Sequence, residues 1–294
     1  MNGIKSSPSR NRKKNDSGQK DKKSKPSRLR PQRPAEEMLM NLPILSFADM
    51  LKLQPDIRRL LKLPPWLSFK LPYERKGQAN LTAVEQQRFL CAFNTLKENG
   101  TLGTLVDIHG VPAHFPHSTQ RFLPWHRIYL LKFEQALQSI HPDVTLPYWD
   151  WTQASEQNIP VWLQSFLPTV VTPTQTINIV RFPQSSASLA TIASNVPAIL
   201  GQTNFTSFTS QLQGVHNGVH VWVGGSMGSV PTAPADPIFW MHHANIDRLW
   251  WLWQKSPQGA GKNPILSGAA AVMDPWPNTE VDTRDIVALG YTYV

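Results

Sequence analysis

Nine histidines stand at positions 109, 114, 117, 126, 141, 216, 220, 242 and 243. His216 and His220 are four apart in a segment with a helical signal. Residues at that spacing stack on one helix face, which is the geometry two ligands of a single metal ion require. His243 and Asp247 repeat the spacing within Asp236-Pro237-Ile238-Phe239-Trp240-Met241-His242-His243-Ala244-Asn245-Ile246-Asp247-Arg248. A carboxylate there is placed to accept a hydrogen bond from the far nitrogen of the imidazole and so fix its tautomer. The segment continues as Leu249-Trp250-Trp251-Leu252-Trp253, wholly apolar, so the charged residues at its head need partners. The earlier group reads His109-Gly110, His117 and Phe122-Leu123-Pro124-Trp125-His126-Arg127, with Pro124 suited to a first helical turn and His126 just inside it. Each half of the chain thus offers at least three histidines, with one cysteine and few carboxylates beside them. All-imidazole sites suit copper or zinc rather than magnesium, calcium or manganese. Helices that project ligands inward from opposite pairs can house two such ions side by side.

The elements that must position these groups are helices. Thr82 with Glu85 three residues on forms a capping box. Val84, Phe89, Leu90, Phe93 and Leu96 then mark an amphipathic helix that ends near Asn99–Gly100. A second helix is expected from about Pro124 to Ser139, closed by Pro142, with His141 as a surface or capping residue. Residues 152–202 are rich in Ser, Thr, Pro and Gln and read mostly as loop, with a short strand at Thr176–Phe182 and a short helix near Ser188–Ser194. The last two helical signals contain Asn217–Trp222 and His242–Gln254.

Charge is unevenly spread. Residues 1–34 hold 12 basic and 2 acidic side chains, so of the net +9 a surplus of +10 lies in this tail and the rest of the chain is close to neutral. Almost nothing in the tail is apolar, so it is expected to be disordered and solvated, with docking on nucleic acid or anionic surfaces as its other reading. A core built to bind nucleic acid is excluded by the same arithmetic. One cysteine rules out an intrachain disulfide and a thiolate cluster. No run of apolar residues is long enough for a transmembrane helix and no signal peptide is visible, so the chain reads as cytoplasmic.

The His-Gly, Phe-Leu-Pro-Trp-His-Arg, Leu-Pro-Tyr-Trp-Asp-Trp (146–151), His-Asn-x-Val-His-x-Trp-Val-Gly-Gly (216–225) and Asp-Pro-x-Phe-x-x-His-His-x-Asn-x-Asp-Arg segments together resemble the tyrosinase family of type-3 copper proteins. The closing Tyr291-Thr292-Tyr293 resembles that family's Tyr-x-Tyr end. The resemblance runs from about Tyr73 to Val294. It implies a mainly α fold, a four-helix bundle around a dinuclear copper site with long loops and few short strands. It implies His109, His117 and His126 as ligands of one copper, with His114 competing for the middle place, and His216, His220 and His243 as ligands of the other. His242 is then expected to point elsewhere on its helix. Asp247 and Phe239 are expected to support the ligands from behind, and Trp125, Trp149, Trp151, Trp222 and Trp250 to pack beside the bundle. The implied activity is oxidation of phenols and o-diphenols to o-quinones with dioxygen as co-substrate, and o-aminophenols undergo similar chemistry. The alternative carried by the same constellation is an oxygen carrier of the haemocyanin kind. A dinuclear zinc hydrolase is disfavoured because no bridging carboxylate sits at ligand spacing.

This sequence departs from the family in informative places. The Asn that follows the first ligand of the second copper is present as Asn217, but the Glu that shares a water with it in many members corresponds to Gln213, and an amide cannot act as a base. Diphenol oxidation is therefore expected to exceed monophenol hydroxylation. Val221 and Val230 resemble positions at the substrate entrance and are small and uncharged. Cys91 lies far from His117 and is read as a buried core residue. The domain plan is a basic tail (1–34), an N-terminal extension of short helices and an arm (35–72), which either packs on the bundle or plugs the pocket, and a copper domain (73–294). The natural phenol and the oligomeric state are not legible.

Overall fold

A computed structural model describes residues 72–114, 117 and 120–294. The basic tail and the extension, apart from Pro72, lie outside the described residues. Helix α1 (Ala83–Glu98) opens with the expected capping box: Thr82 Oγ1 accepts from Glu85 N, and Glu85 accepts from Thr82 N. Its buried residues are Phe89, Ala92, Phe93 and Leu96, a stripe at i, i+3, i+4 and i+7. Val84 and Cys91 fall off that stripe and are exposed, so the reading of Cys91 as core is corrected by the helix's own periodicity.

Helix α2 (Thr101–Gly110) is an element the sequence pattern does not announce. It starts directly after Gly100, whose φ of 83° ends α1, and carries His109 in its last turn. Gly103 allows it to press on the neighbouring strand, since a Cβ there would collide with the Val171 carbonyl oxygen. Helix α3 (Phe122–Ile140) is buried along most of its length, and half-buried His141 caps its end. Strands β2 (Thr169–Val171) and β3 (Thr176–Asn178) form a small antiparallel hairpin, of which only the second strand is expected from sequence. Helices α4 (Ser186–Ala193) and α5 (Val196–Leu200) then pack on α6 (Phe205–Val223), and α7 (Pro237–Lys255) follows.

Helix α3 packs against α1, α2, α6 and α7, which makes it the centre of the bundle. The tryptophans supply much of the wall, and Trp125, Trp149, Trp151, Trp222 and Trp250 are all buried as expected. Their indole N–H groups find carbonyls: Trp125 donates to Asp274 O, Trp149 to Glu156 O and Trp222 to Ser185 O. Strand β1 (Tyr73–Arg75) pairs in parallel with β4 (Tyr291–Tyr293), so the two ends of the domain close side by side. Among the described residues no helix is long and apolar enough to cross a membrane.

Candidate metal centre

The head of α7 is set by Asp236, whose carboxylate accepts from Ile238 N and from Arg181, with Pro237 in the first turn. Two turns on from Asp236 lies His243. On α6, His216 and His220 share a face as their spacing requires. These three imidazoles converge: His216 Nε2 lies 3.0 Å from His243 Nε2 and from His220 Nε2, and His220 Nε2 lies 3.2 Å from His243 Nε2.

The protons sit on the opposite side of the rings. His216 Nδ1 donates to Asn217 Oδ1 at 2.9 Å and His220 Nδ1 donates to Met227 O at 2.7 Å. The latter bond depends on the turn at Gly224 and Gly225, whose φ values of 64° and 55° bring residue 227 back under α6. With Nδ1 protonated, the Nε2 atoms of His216 and His220 present lone pairs, and these face each other at contact distance. That arrangement is unfavourable without a shared cation and is the one a metal ion needs.

The second cluster repeats it. His109 on α2 and His126 on α3 bring their Nε2 atoms to 3.3 Å. His109 Nδ1 donates to Val230 O at 2.9 Å and His126 Nδ1 to Phe122 O at 2.8 Å. His117 completes the group, its ring centroid 4.8 Å from that of His109 and 5.2 Å from that of His126. His114 is turned away: its Nδ1 donates to Asp274 Oδ2 at 2.5 Å, and Arg121 holds the same carboxylate. The structure thus brings His117, and not its competitor, into the cluster.

The two groups meet where His126 stacks on His243, ring centroids 4.5 Å apart. Phe239 fills the space behind, 5.0 Å from His109 and 4.1 Å from His243. Phe122 closes the other side, 4.9 Å from His126 and 4.8 Å from His216. Two expectations are corrected here. His242 does not point away but stacks on His216 at 5.1 Å and falls in one four-histidine group with His216, His220 and His243; its Nδ1 accepts from Trp151 Nε1, which leaves the proton on an Nε2 without a partner among the described residues. Asp247 does not hold His243, whose Nδ1 has no partner among the described residues. The carboxylate instead takes Arg127 Nε at 2.5 Å, Tyr291 OH at 2.7 Å and Tyr293 OH at 2.6 Å, and pairs with Arg75. Buried guanidinium and phenol donors outcompete a neutral imidazole for it.

Val221 and Val230 are both exposed. Gln213 is buried and, with Asn217, lines a cavity of about 470 Å³. Sequence reasoning missed the carbonyls of Val230 and Met227, which carry no side-chain signal, and the closing role of Phe122.

Burial holds every clustered imidazole neutral. His117 and His220 are each pushed down to about 4, and His109, His126, His216, His242 and His243 are driven well below the ordinary histidine range, with neighbouring imidazoles adding to the effect. An unfolded histidine titrates near 6.5, so between about 6.5 and 4 the unfolded chain binds more protons. The stability contributed by these groups is full above that window and is lost as the pH falls through it. The melting temperature of the metal-free protein is expected to be level from pH 8 to 7 and to fall continuously from pH 6.5 to 4.5. A level curve across that range would contradict the burial of neutral imidazoles.

Two all-imidazole clusters face to face in a helical bundle, with no thiolate or carboxylate among the converging donors, define the type-3 class of dinuclear copper proteins. The sequence comparisons agree. The family model described as the common central domain of tyrosinase matches residues 92–185 and 168–256. A tyrosinase from Streptomyces glaucescens is 34% identical over 255 residues, covering 70% of this chain and 93% of the relative. One from Streptomyces galbus is 34% identical over 250 residues, covering 68% and 89%. Among solved structures, a functional unit of octopus hemocyanin superposes with a TM-score of 0.65 at 26% identity, over 75% of this chain and 68% of that one. A tyrosinase from Burkholderia thailandensis does so with a TM-score of 0.62 at 20% identity, over 76% and 74%. The chain belongs to the tyrosinase family. It is a copper-dependent oxidoreductase of phenols that carries two copper ions and uses dioxygen.

Proposed function

We propose that the protein is predominantly an o-diphenol oxidase, with o-aminophenols as further substrates and slower hydroxylation of monophenols. The observation that carries this reading is Gln213. Its side chain is buried beside Asn217 at the edge of the metal centre, where a carboxylate would serve as proton acceptor and an amide cannot. A diphenol ionises readily enough to do without that base, whereas a monophenol depends on it.

In this reading His109, His117 and His126 hold one copper, and His216, His220 and His243 hold the other. Bound copper supplies the redox chemistry that couples dioxygen reduction to phenol oxidation. The protein's own share is threefold. The hydrogen bonds to Val230, Phe122, Asn217 and Met227 fix ring orientation and tautomer. Phe122 and Phe239 keep water from the space between the clusters. Val221 and Val230 leave an uncharged rim that admits neutral phenols. The oxygen-carrier alternative requires a covered pocket, and the open cleft at Asn217 favours substrate access instead.

Gln213→Glu is expected to raise the ratio of tyramine to catechol turnover by about tenfold, a fraction of the roughly 10²–10⁴-fold that a well-placed general base supplies. An unchanged ratio would remove Gln213 from this role. Reversible oxygen uptake without quinone formation would favour the carrier.

A further inference from the structure

We infer that the cleft beside the metal centre is a subsite for the ring substituent of an o-diphenol whose side chain ends in a neutral hydrogen-bonding group, a hydroxyl or an amide. This deepens the oxidase reading above and rests on it. The cleft, about 470 Å³, is lined by Gln120, Thr206, Thr209, Ser210, Gln213 and Asn217 together with the backbone of Gly214. None of these carries a charge.

Its position follows from helix periodicity. Thr209, Gln213, His216 and His220 fall at i, i+4, i+7 and i+11 on α6, so the cleft continues the stripe that carries two of the clustered imidazoles. From the opposite wall comes Gln120, between His117 and Phe122 in sequence. It is held by a bond from its amide to Thr206 Oγ1 at 3.3 Å and by Ile265 N, which donates to its oxygen at 2.9 Å.

Several of the polar groups facing the cleft are uncommitted. Thr209 is almost fully buried, and its Oγ1, closed off from solvent, is not one of them. Among the described residues, neither the Ser210 hydroxyl nor the Gln213 amide makes a hydrogen bond within the protein. Asn217 spends its oxygen on His216, which leaves its amide nitrogen to donate. An ammonium or carboxylate entering here would give up hydration and meet no opposite charge. An alkyl tail would displace water from Ser210, Gln213 and Asn217 and leave their polar groups unpaired. A hydroxyl or amide tail satisfies both demands, and the volume suits a short side chain.

The test compares kcat/KM of the copper-loaded, full-length protein on 4-methylcatechol and on catechols bearing hydroxyethyl, aminoethyl or carboxymethyl groups at the same carbon. The hydroxyethyl compound is expected to exceed both charged ones by about tenfold or more, as befits a charge moved into an uncharged site. In Ser210→Ala, at an exposed position, the hydroxyethyl-to-methyl ratio is expected to fall about fivefold, the size of one neutral hydrogen bond, and to do so through KM. Gln213→Leu, which removes the other free amide, is the second variant and shifts the ratio of these two diphenols the same way. A charged tail preferred to the neutral one, or ratios unchanged in both variants, overturns the subsite while the oxidase reading stands. Failure to oxidise 4-methylcatechol at all overturns the oxidase reading and the subsite with it.

Discussion

Stripping the metal with a chelator is expected to abolish phenol oxidation, a loss of at least about 10³-fold given that enzymes accelerate by about 10⁶ or more. The same treatment should lower the melting temperature, because the Nε2 lone pairs of His216 and His220, 3.0 Å apart, lose the cation between them. Ligation of the native state alone contributes about 2.7 kcal/mol at a hundredfold excess over the dissociation constant. Readdition of copper restores both properties. Zinc, which also favours imidazole but has no redox chemistry, is expected to restore the melting temperature and not the activity. Calorimetry and oxygen consumption on the same samples separate the two effects. Oxidation that survives metal removal would contradict the assignment.

Asp247→Asn is expected to be the most destabilising single substitution in the domain. Its carboxylate is buried between Arg127 and Arg75 and accepts the hydroxyls of Tyr291 and Tyr293. The network reaches further: Arg75 also pairs with Glu134 on α3, and its guanidinium lies 3.5 Å over the Tyr291 ring. Strand β1, strand β4, α3 and α7 are thereby pinned together by one residue a turn beyond His243. Breaking a buried pair by removing one partner costs about 3–5 kcal/mol, because a charge is left uncompensated. For a domain of this size that corresponds to a fall of roughly 10 °C in melting temperature. Copper retention on the His243 side should weaken as well, through movement of α7. A melting temperature within about 2 °C of wild type, a change of no more than about 1 kcal/mol in a domain of this size, would mean that the two arginines find other partners.

The same residue shows where sequence reasoning ends. The spacing of His243 and Asp247 states that the two side chains can touch. Which rotamer the carboxylate adopts is decided by Arg127, Tyr291 and Tyr293, which arrive from distant segments. His216 and His220, by contrast, are legible because both ligands ride on one helix and helical periodicity fixes their relation. Helix α2 is hidden because it follows a stop signal at Gly100 with no polar spacer. What holds it in place is its close approach at Gly103 to the Val171 carbonyl, which no local pattern reports. The length of α6 is masked by its Ser- and Thr-rich first third, Phe205-Thr206-Ser207-Phe208-Thr209-Ser210. Its start is nonetheless written in Asn204, whose Oδ1 accepts from Ser207 N. The choice between His114 and His117 turns on tertiary partners too: Asp274 and Arg121 claim the former.

Copper content per chain tests the central claim most directly. Wild type and His114→Ala are each expected to retain two ions, while His117→Ala and His220→Ala each retain one. A wild-type protein with one ion or none, or a loss in His114→Ala with retention in His117→Ala, would contradict the two three-imidazole sites.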